Sequence, residues 1–269
     1  MIWITRGLVM VAAAYLAVLV ILWAFQSRFY YPAPQTAPPL TPGYEEVALE
    51  TGDGLMLRAF YRKAQGGLPT VVYFHGNGGT LSGASVSNGA LAEAGLGVLL
   101  VEYRGYGGNP GAPSENGFYL DAEAAMAFLA GLELGSHEIV IIGNSIGGGV
   151  ATEMARRHDP AALILIAPFL SLPDAAQSNL WWLPARSLVT DQYRNSQKIG
   201  ELEIPVLIQH GDADDLIPQE HGRRLASLAR EASFQSFAGS GHSLSFERRS
   251  QEARVEWILA MDMGIVPEG

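Results

Sequence analysis

The chain has 269 residues, 48% of them apolar, enough for one large core once an N-terminal appendage is set aside. A formal charge of -10 at pH 7 argues against a nucleic-acid partner, because a phosphate backbone needs a cationic face. Cysteine is absent, which excludes a disulfide framework and thiolate chemistry and leaves the compartment open.

Residues 7–25 carry no charge and are dominated by Val, Ala, Leu and Ile. At about 1.5 Å per residue, a helix of that length spans a bilayer core. Trp3 at one end and Trp23, Phe25, Phe29, Tyr30 and Tyr31 at the other suit the aromatic belts at lipid headgroups. No small-x-small cleavage site follows the apolar run, so an uncleaved anchor over residues 1–28 is expected rather than a signal peptide. Arg6 and the terminal amine flank one side and Arg28 the other, which tips orientation weakly toward a single-pass anchor with the following domain on the non-cytoplasmic side. Five prolines in 32–42 fix extended backbone, so 29–43 reads as a semi-rigid linker and the globular domain as 44–269.

Two strands over 44–50 and 55–62, joined by Thr51-Gly52-Asp53-Gly54, predict a hairpin. Apolar strand-like runs then follow at 70–74, 97–102, 138–142, 162–167, 206–209 and 234–237. Helical stretches at 82–94, 115–132, 146–158, 219–230 and 243–261 separate most of them. Continuous apolar strands with covering helices predict an α/β fold, with a mostly parallel eight-stranded sheet buried on both faces. Ligands in such sheets sit outside the strand carboxyl ends, so those ends carry the candidates.

After the first parallel strand comes His75-Gly76-Asn77-Gly78-Gly79, a glycine-rich turn whose backbone N–H groups could face a developing oxyanion. His75 is expected to order this turn by hydrogen bonding. Gly143-Asn144-Ser145-Ile146-Gly147 stands between a predicted strand and a predicted helix, the setting of a nucleophile elbow, where small residues let strand and helix approach and the serine is pushed outward. A serine hydroxyl needs an imidazole base, and the base a carboxylate. Asp212, Asp214 and Asp215 crowd the loop after 206–209, and any one of them could serve. Among the histidines, His137 and His158 fall at the opposite end of the sheet and His221 within a predicted helix, whereas His242 follows the last strand. The order serine, acid, histidine along the chain matches one arrangement of this machinery.

With these residues the sequence resembles the alpha/beta-hydrolase superfamily over roughly 44–261. Besides Gly143-Asn144-Ser145-Ile146-Gly147-Gly148, the stretch from Tyr103-Arg104-Gly105-Tyr106-Gly107 to Pro113-Ser114-Glu115 resembles the Y-R-G-Y-G-x-S-x-G-x-P-S-E signature of one serine-hydrolase branch, which also has His-Gly-Asn after its third strand and often an N-terminal membrane anchor. Asn109, Ile146, Gly78 and Ile217 depart from the usual serine, leucine, alanine and valine. The resemblance implies Ser145 as nucleophile, Asp214 as acid, His242 as base, and the backbone N–H groups of Asn77 and Ile146 as the oxyanion hole. It implies hydrolysis of an ester, thioester or related acyl bond through an acyl-enzyme, without metal or organic cofactor, on a small-molecule or lipid-like acyl substrate. The tyrosine-arginine-glycine segment is expected to shape the loop beside the pocket, with Arg104 paired to a local carboxylate. Residues 169–203, rich in Trp181, Trp182, Leu183 and Leu188, read either as a short cap over the site or as cover for the core edge. A peptidase of the same fold and a catalytically silent anchored binding protein are the alternatives.

Overall fold

The computed structural model describes residues 2–261; Met1 and the last eight residues of the span 44–269 lie outside them. Helix α1 (Ile2–Tyr30) comes first, followed by the antiparallel hairpin of β1 (Glu45–Glu50) and β2 (Met56–Arg62). The turn between them is closed by Gly54 N–H donating to Thr51 O at 2.9 Å. Then follow β3 (Thr70–Phe74), α2 (Leu81–Ser87), α3 (Gly89–Glu93), β4 (Gly97–Val101), α4 (Glu115–Gly131), β5 (Ile139–Asn144), α5 (Ile146–His158) and β6 (Ala162–Ile166). Three short helices, α6 (Leu172–Asn179), α7 (Ala185–Leu188) and α8 (Asn195–Lys198), lie between β6 and β7 (Val206–Gly211), and α9 (Glu220–Leu228), β8 (Ala232–Phe237) and α10 (Arg248–Leu259) complete the chain.

The eight strands form one sheet in the order β1-β2-β4-β3-β5-β6-β7-β8, parallel from β4 to β8. Every residue of β3, β4 and β6 is buried, as an unalternating apolar run requires of a strand covered on both faces. The two-residue side-chain period divides them between two cores: Val72 and Phe74 pack on the side of α4 and α5, Val71 and Tyr73 on the side of α2 and α10. The antiparallel entry and the parallel sheet agree with the sequence reading.

Three elements differ from their expected form. The helix expected over 82–94 breaks at Asn88, whose φ of -115° is not helical and whose amide donates back to Ala84 O. The helix expected from 243 opens with a short 3-10 turn, and α10 starts at Arg248. Tyr31 is no membrane-belt residue; it is 5% exposed, stacked edge-on to Phe118, with its hydroxyl donating to Asp191 Oδ2 at 2.5 Å. The proline stretch lies on the domain instead of projecting from it, and bends at Ala33 with φ 44°: Gly107 N–H donates to Pro34 O, and Arg58 Nη1 to Pro38 O, both at 2.7 Å.

Candidate active site

The site grows from the carboxyl ends of β3, β5, β7 and β8. Where β5 meets α5 the chain turns on Ser145, which holds φ 53° and ψ -117°, a conformation that costs a non-glycine residue of order 1–3 kcal/mol. The surroundings enforce it. Ser145 N–H continues the sheet by donating to Ile166 O at 2.9 Å, and Gly148 N–H closes the turn on Ser145 O at 2.9 Å. A Cβ on Gly147 would overlap the Phe74 carbonyl of the neighbouring strand, so only glycine lets α5 start this close to β3.

The structure brings Ser145, His242 and Asp214 into one chain of contacts. His242 Nε2 lies 3.0 Å from Ser145 Oγ, and His242 Nδ1 lies 2.9 Å from Asp214 Oδ2. Asp214 Oδ1 accepts from the N–H groups of Leu216 and Ile217 at 3.0 and 2.9 Å. Burial by itself raises its pKa, but hydrogen bonds from His210, His242 and the Ile217 backbone outweigh this and hold the carboxyl well below the usual carboxylate range. The tautomer that satisfies both contacts of a neutral His242 beside an ionised Asp214 has its hydrogen on Nδ1 and leaves Nε2 as an acceptor for the serine hydroxyl.

Among the three acids, Asp214 is the one in contact with His242. Asp212 Oδ1 accepts from Gly239 N–H at 2.7 Å and so stitches the β7 loop to the β8 loop; Asp215 is exposed. Ala213 N–H donates to Ser240 O at 3.0 Å, and at Gly211 a Cβ would overlap the Ser240 carbonyl. This close backbone contact delivers His242 to Asp214. Two of the other histidines lie elsewhere: His158 Nε2 pairs with Glu123, and His221 Nδ1 accepts from Leu170 N–H.

The turn after β3 borders Ser145, and Asn77 and Ile146 line the same cavity as the serine. Its bracing comes from the tyrosine-arginine-glycine segment. Tyr103 hydroxyl donates to His75 O at 3.1 Å and Tyr106 hydroxyl to Asn77 O at 2.8 Å, so two phenols hold the turn from below. His75 is buried, with Nε2 2.7 Å from Glu102 Oε1 and Nδ1 2.7 Å from Gly76 O. Glu102 Oε2 in turn accepts from Leu81 N–H, the first residue of α2. Arg104 pairs with buried Asp121 and with Asp53 of the hairpin turn, both at 2.8 Å or less. Asn109, where the family pattern has serine, donates to Glu102 O and accepts from Arg58 N–H, tying the segment to β2.

Two residues beside the site escaped the sequence reading. Glu102 ends a strand-like run whose apolarity draws attention away from it. His210, fully buried at the end of β7, points Nε2 at Ile217 O (2.9 Å) and Asp214 Oδ2 (3.3 Å). Its nearer partner is the carbonyl, so we regard it first as a brace for the Asp214 turn. A histidine interrupting the buried run before Gly-x-x-Asp is the signal that marks it.

A cavity of about 420 Å³ opens beside Ser145. Its walls are cap residues such as Leu172, Ala176 and Leu183, and, unexpectedly, Leu22, Trp23, Gln26 and Phe29 of α1; no charged side chain is among its described lining residues. Residues of 169–203, the segment expected as a short cap, thus border the cavity, but its tryptophans face outward, with Trp181 81% exposed. A second cavity of about 500 Å³ lies by His137, Pro205 and Trp257, at the amino ends of the strands and away from the serine.

The pattern of the alpha/beta hydrolase fold matches residues 69–194. An uncharacterized protein of Mycobacterium tuberculosis is 37% identical over 235 residues, 84% of this chain and 83% of its own length. Lysophosphatidylserine lipase ABHD12 of Danio rerio is 31% identical over 70% of this chain and 53% of its own. Among solved structures, Est1E from Butyrivibrio proteoclasticus with ferulic acid bound superposes with a TM-score of 0.66 at 19% identity, covering 79% of this chain and 98% of that one. Sheet order, elbow and sequence similarity converge, and the chain belongs to the alpha/beta hydrolase fold family.

Proposed function

We propose that this chain is a serine hydrolase that cleaves carboxylic ester, thioester or related acyl bonds through an acyl-enzyme. The observation that carries the reading is His242 standing 3.0 Å from Ser145 Oγ and 2.9 Å from an ionised Asp214. Ser145 Oγ attacks the acyl carbonyl while His242 Nε2 takes its proton, and Asp214 stabilises the imidazolium that forms. The N–H groups of Asn77 and Ile146 receive the charge that develops on the carbonyl oxygen, so their contribution is larger in the transition state than in the bound substrate. His242 returns the proton to the leaving oxygen or sulfur as the bond to carbon breaks. Water, deprotonated by the same imidazole, then releases the acid and restores the serine.

An uncharged, largely apolar cavity favours an acyl chain over the free amine of a peptide, which would need a carboxylate partner. The named activity of the Danio rerio relative and the ferulic acid held by Est1E are in keeping with ester chemistry. By length and composition α1 can cross a membrane, a property that signal sequences share. Retention of α1 as an anchor over 1–28, with 29–43 as the connection and the catalytic domain 44–269 on the non-cytoplasmic side, completes the proposal; a cleaved α1 would strip one wall from the cavity. The test is labelling by a fluorophosphonate, which loses fluoride as its phosphorus bonds to an activated serine. Wild type labels and Ser145→Ala does not; full labelling of the variant overturns the mechanism.

A further inference from the structure

The cavity beside Ser145 is walled on one side by a helix that no globular domain needs. Leu22, Trp23, Gln26 and Phe29 recur at the spacing that puts residues on one face of a helix, and this face of α1 closes the cavity. The contact is held by specific bonds. Gln26 Nε2 donates to Trp23 O of its own helix at 2.9 Å and to Leu188 O at 3.1 Å, and Gln26 Oε1 accepts from Thr190 N–H at 2.9 Å, so the amide ties α1 to the cap from both ends. Tyr31 hydroxyl bonds Asp191 at the base, and Tyr15 hydroxyl donates to Trp182 O at 3.2 Å further along.

Tyr15 to Tyr31 spans roughly 24 Å of helix at about 1.5 Å per residue. Tyr15 lies ten residues inside the charge-free stretch that ends at Phe25, roughly 15 Å along the helix axis and so about half the thickness of a hydrocarbon core of roughly 30 Å. The cap loop that meets Tyr15 carries Trp181 and Trp182, 81% and 48% exposed, and no residue of α1 is buried. Leu22 and Trp23 of the apolar helix, and Leu180 and Leu183 on either side of the exposed tryptophans, line the same uncharged cavity as the serine.

We propose that this cavity is an acyl-chain channel that opens sideways into one leaflet of the bilayer between α1 and the cap, and that its substrate is a single-chain amphiphilic ester drawn from that leaflet. The tail lies against Leu22 and Phe29 with the scissile carbonyl at Ser145. A volume of about 420 Å³, near the lower end for ligand pockets, suits one chain. Gln26 is a positioning residue: its amide, held to Trp23 O on α1 and bonded to Leu188 and Thr190 of the cap, fixes how far α1 stands from Leu188 and thereby the width of the channel. The inference rests on the serine-hydrolase reading of the same site.

The test uses the full-length protein in phosphatidylcholine vesicles and a long-chain alkyl fluorophosphonate with a diazirine at the tail end. After reaction, illumination and digestion, phosphonate on Ser145 with tail adducts on residues 22–30 and on the cap is the expected result. Phosphonate on Ser145 with tail adducts only outside α1 overturns the channel and leaves the hydrolase reading standing. Absence of phosphonate from Ser145 overturns both. In a second measurement, Leu22→Trp narrows the channel: the ratio of kcat/KM for a dodecanoyl ester to that for an acetyl ester falls about tenfold or more, in line with the sensitivity of apolar pockets to single methylenes. An unchanged ratio in a variant that still labels with the probe counts against the channel, and Phe29→Ala, which widens it, checks the opposite direction.

Discussion

The two halves of this site are built on different terms. On the sheet side, Ser145, Asp214 and His242 hang from strand ends whose backbone leaves little choice: a carbonyl presses on Gly147, another on Gly211, and a positive φ is forced on Ser145. On the helical side, α1 and the cap meet through apolar side chains and a few hydrogen bonds, with exposed residues close by. The difference separates chemistry from selection. A reacting hydroxyl displaced by an ångström loses its rate, whereas a wall of leucines and phenylalanines can change size and merely admit another chain.

That contrast can be broken from either side. The largest effect is expected at the carboxylate: Asp214→Asn removes the charge that orients His242, and kcat falls by about four orders of magnitude. A loss of less than tenfold in ester turnover would move the acid to Asp212 or Asp215. A smaller loss is expected one layer back. Tyr106→Phe deletes the hydroxyl that holds the Asn77 carbonyl, and since it disturbs the proposed oxyanion donor without removing it, kcat drops about tenfold with KM little changed. A change confined to KM would assign Tyr106 to the pocket instead of the turn.

The smallest expected effect joins the two halves. Glu153 on α5 takes ion pairs from Lys198 of α8 and from Arg156 and Arg157. Burial raises its pKa, and hydrogen bonds from Arg156, Lys198 and Arg157 overcome this and lower it to about 2. A carboxyl depressed in the folded state stabilises the fold above its unfolded pKa, and that stabilisation drains away as pH falls toward the folded value. Glu153→Gln is expected to cost roughly 1–2 kcal/mol near neutrality, with screening by solvent at the partly exposed arginines already discounted. The gap from wild type in urea unfolding should narrow as pH drops from about 4.3 toward 2; a gap independent of pH would mean packing, not charge, links α5 to α8.

Much of the sheet side was legible beforehand because its constraints are local. Glycines that flank Ser145, Asp-rich Gly211 to Asp215 and Gly241-His242 each mark a backbone that must turn tightly after an apolar run. The residues alone left Asp212, Asp214 and Asp215 open and the family resemblance pointed to Asp214; the approach of the β8 loop sets that same residue beside His242. The helical side was hidden for another reason. A helix apolar all round has no face that periodicity can single out, so Trp23 and Phe29 read as lipid-facing whether or not one side meets protein. Tyr31 shows the same failure: aromatic residues at the end of an apolar helix suit a headgroup belt and a buried hydroxyl network equally well. Glu102 was overlooked because it is a single polar residue at the end of an apolar run whose partner, His75, is distant in the chain, and His210 because it stands within a buried strand end with no pattern of its own.

The prolines of 32–42 have a consequence for reach. Left free, eleven residues at roughly 3.1 Å each in an extended left-handed helix would form an arm of about 34 Å. Pinned instead through Pro34 and Pro38 to Gly107 and Arg58, they lend the domain almost no radius of search. On the proposed anchor, the molecule cannot sample solution like a ball on a string; it works as a fixed post, and its supply of substrate is set by two-dimensional diffusion past it.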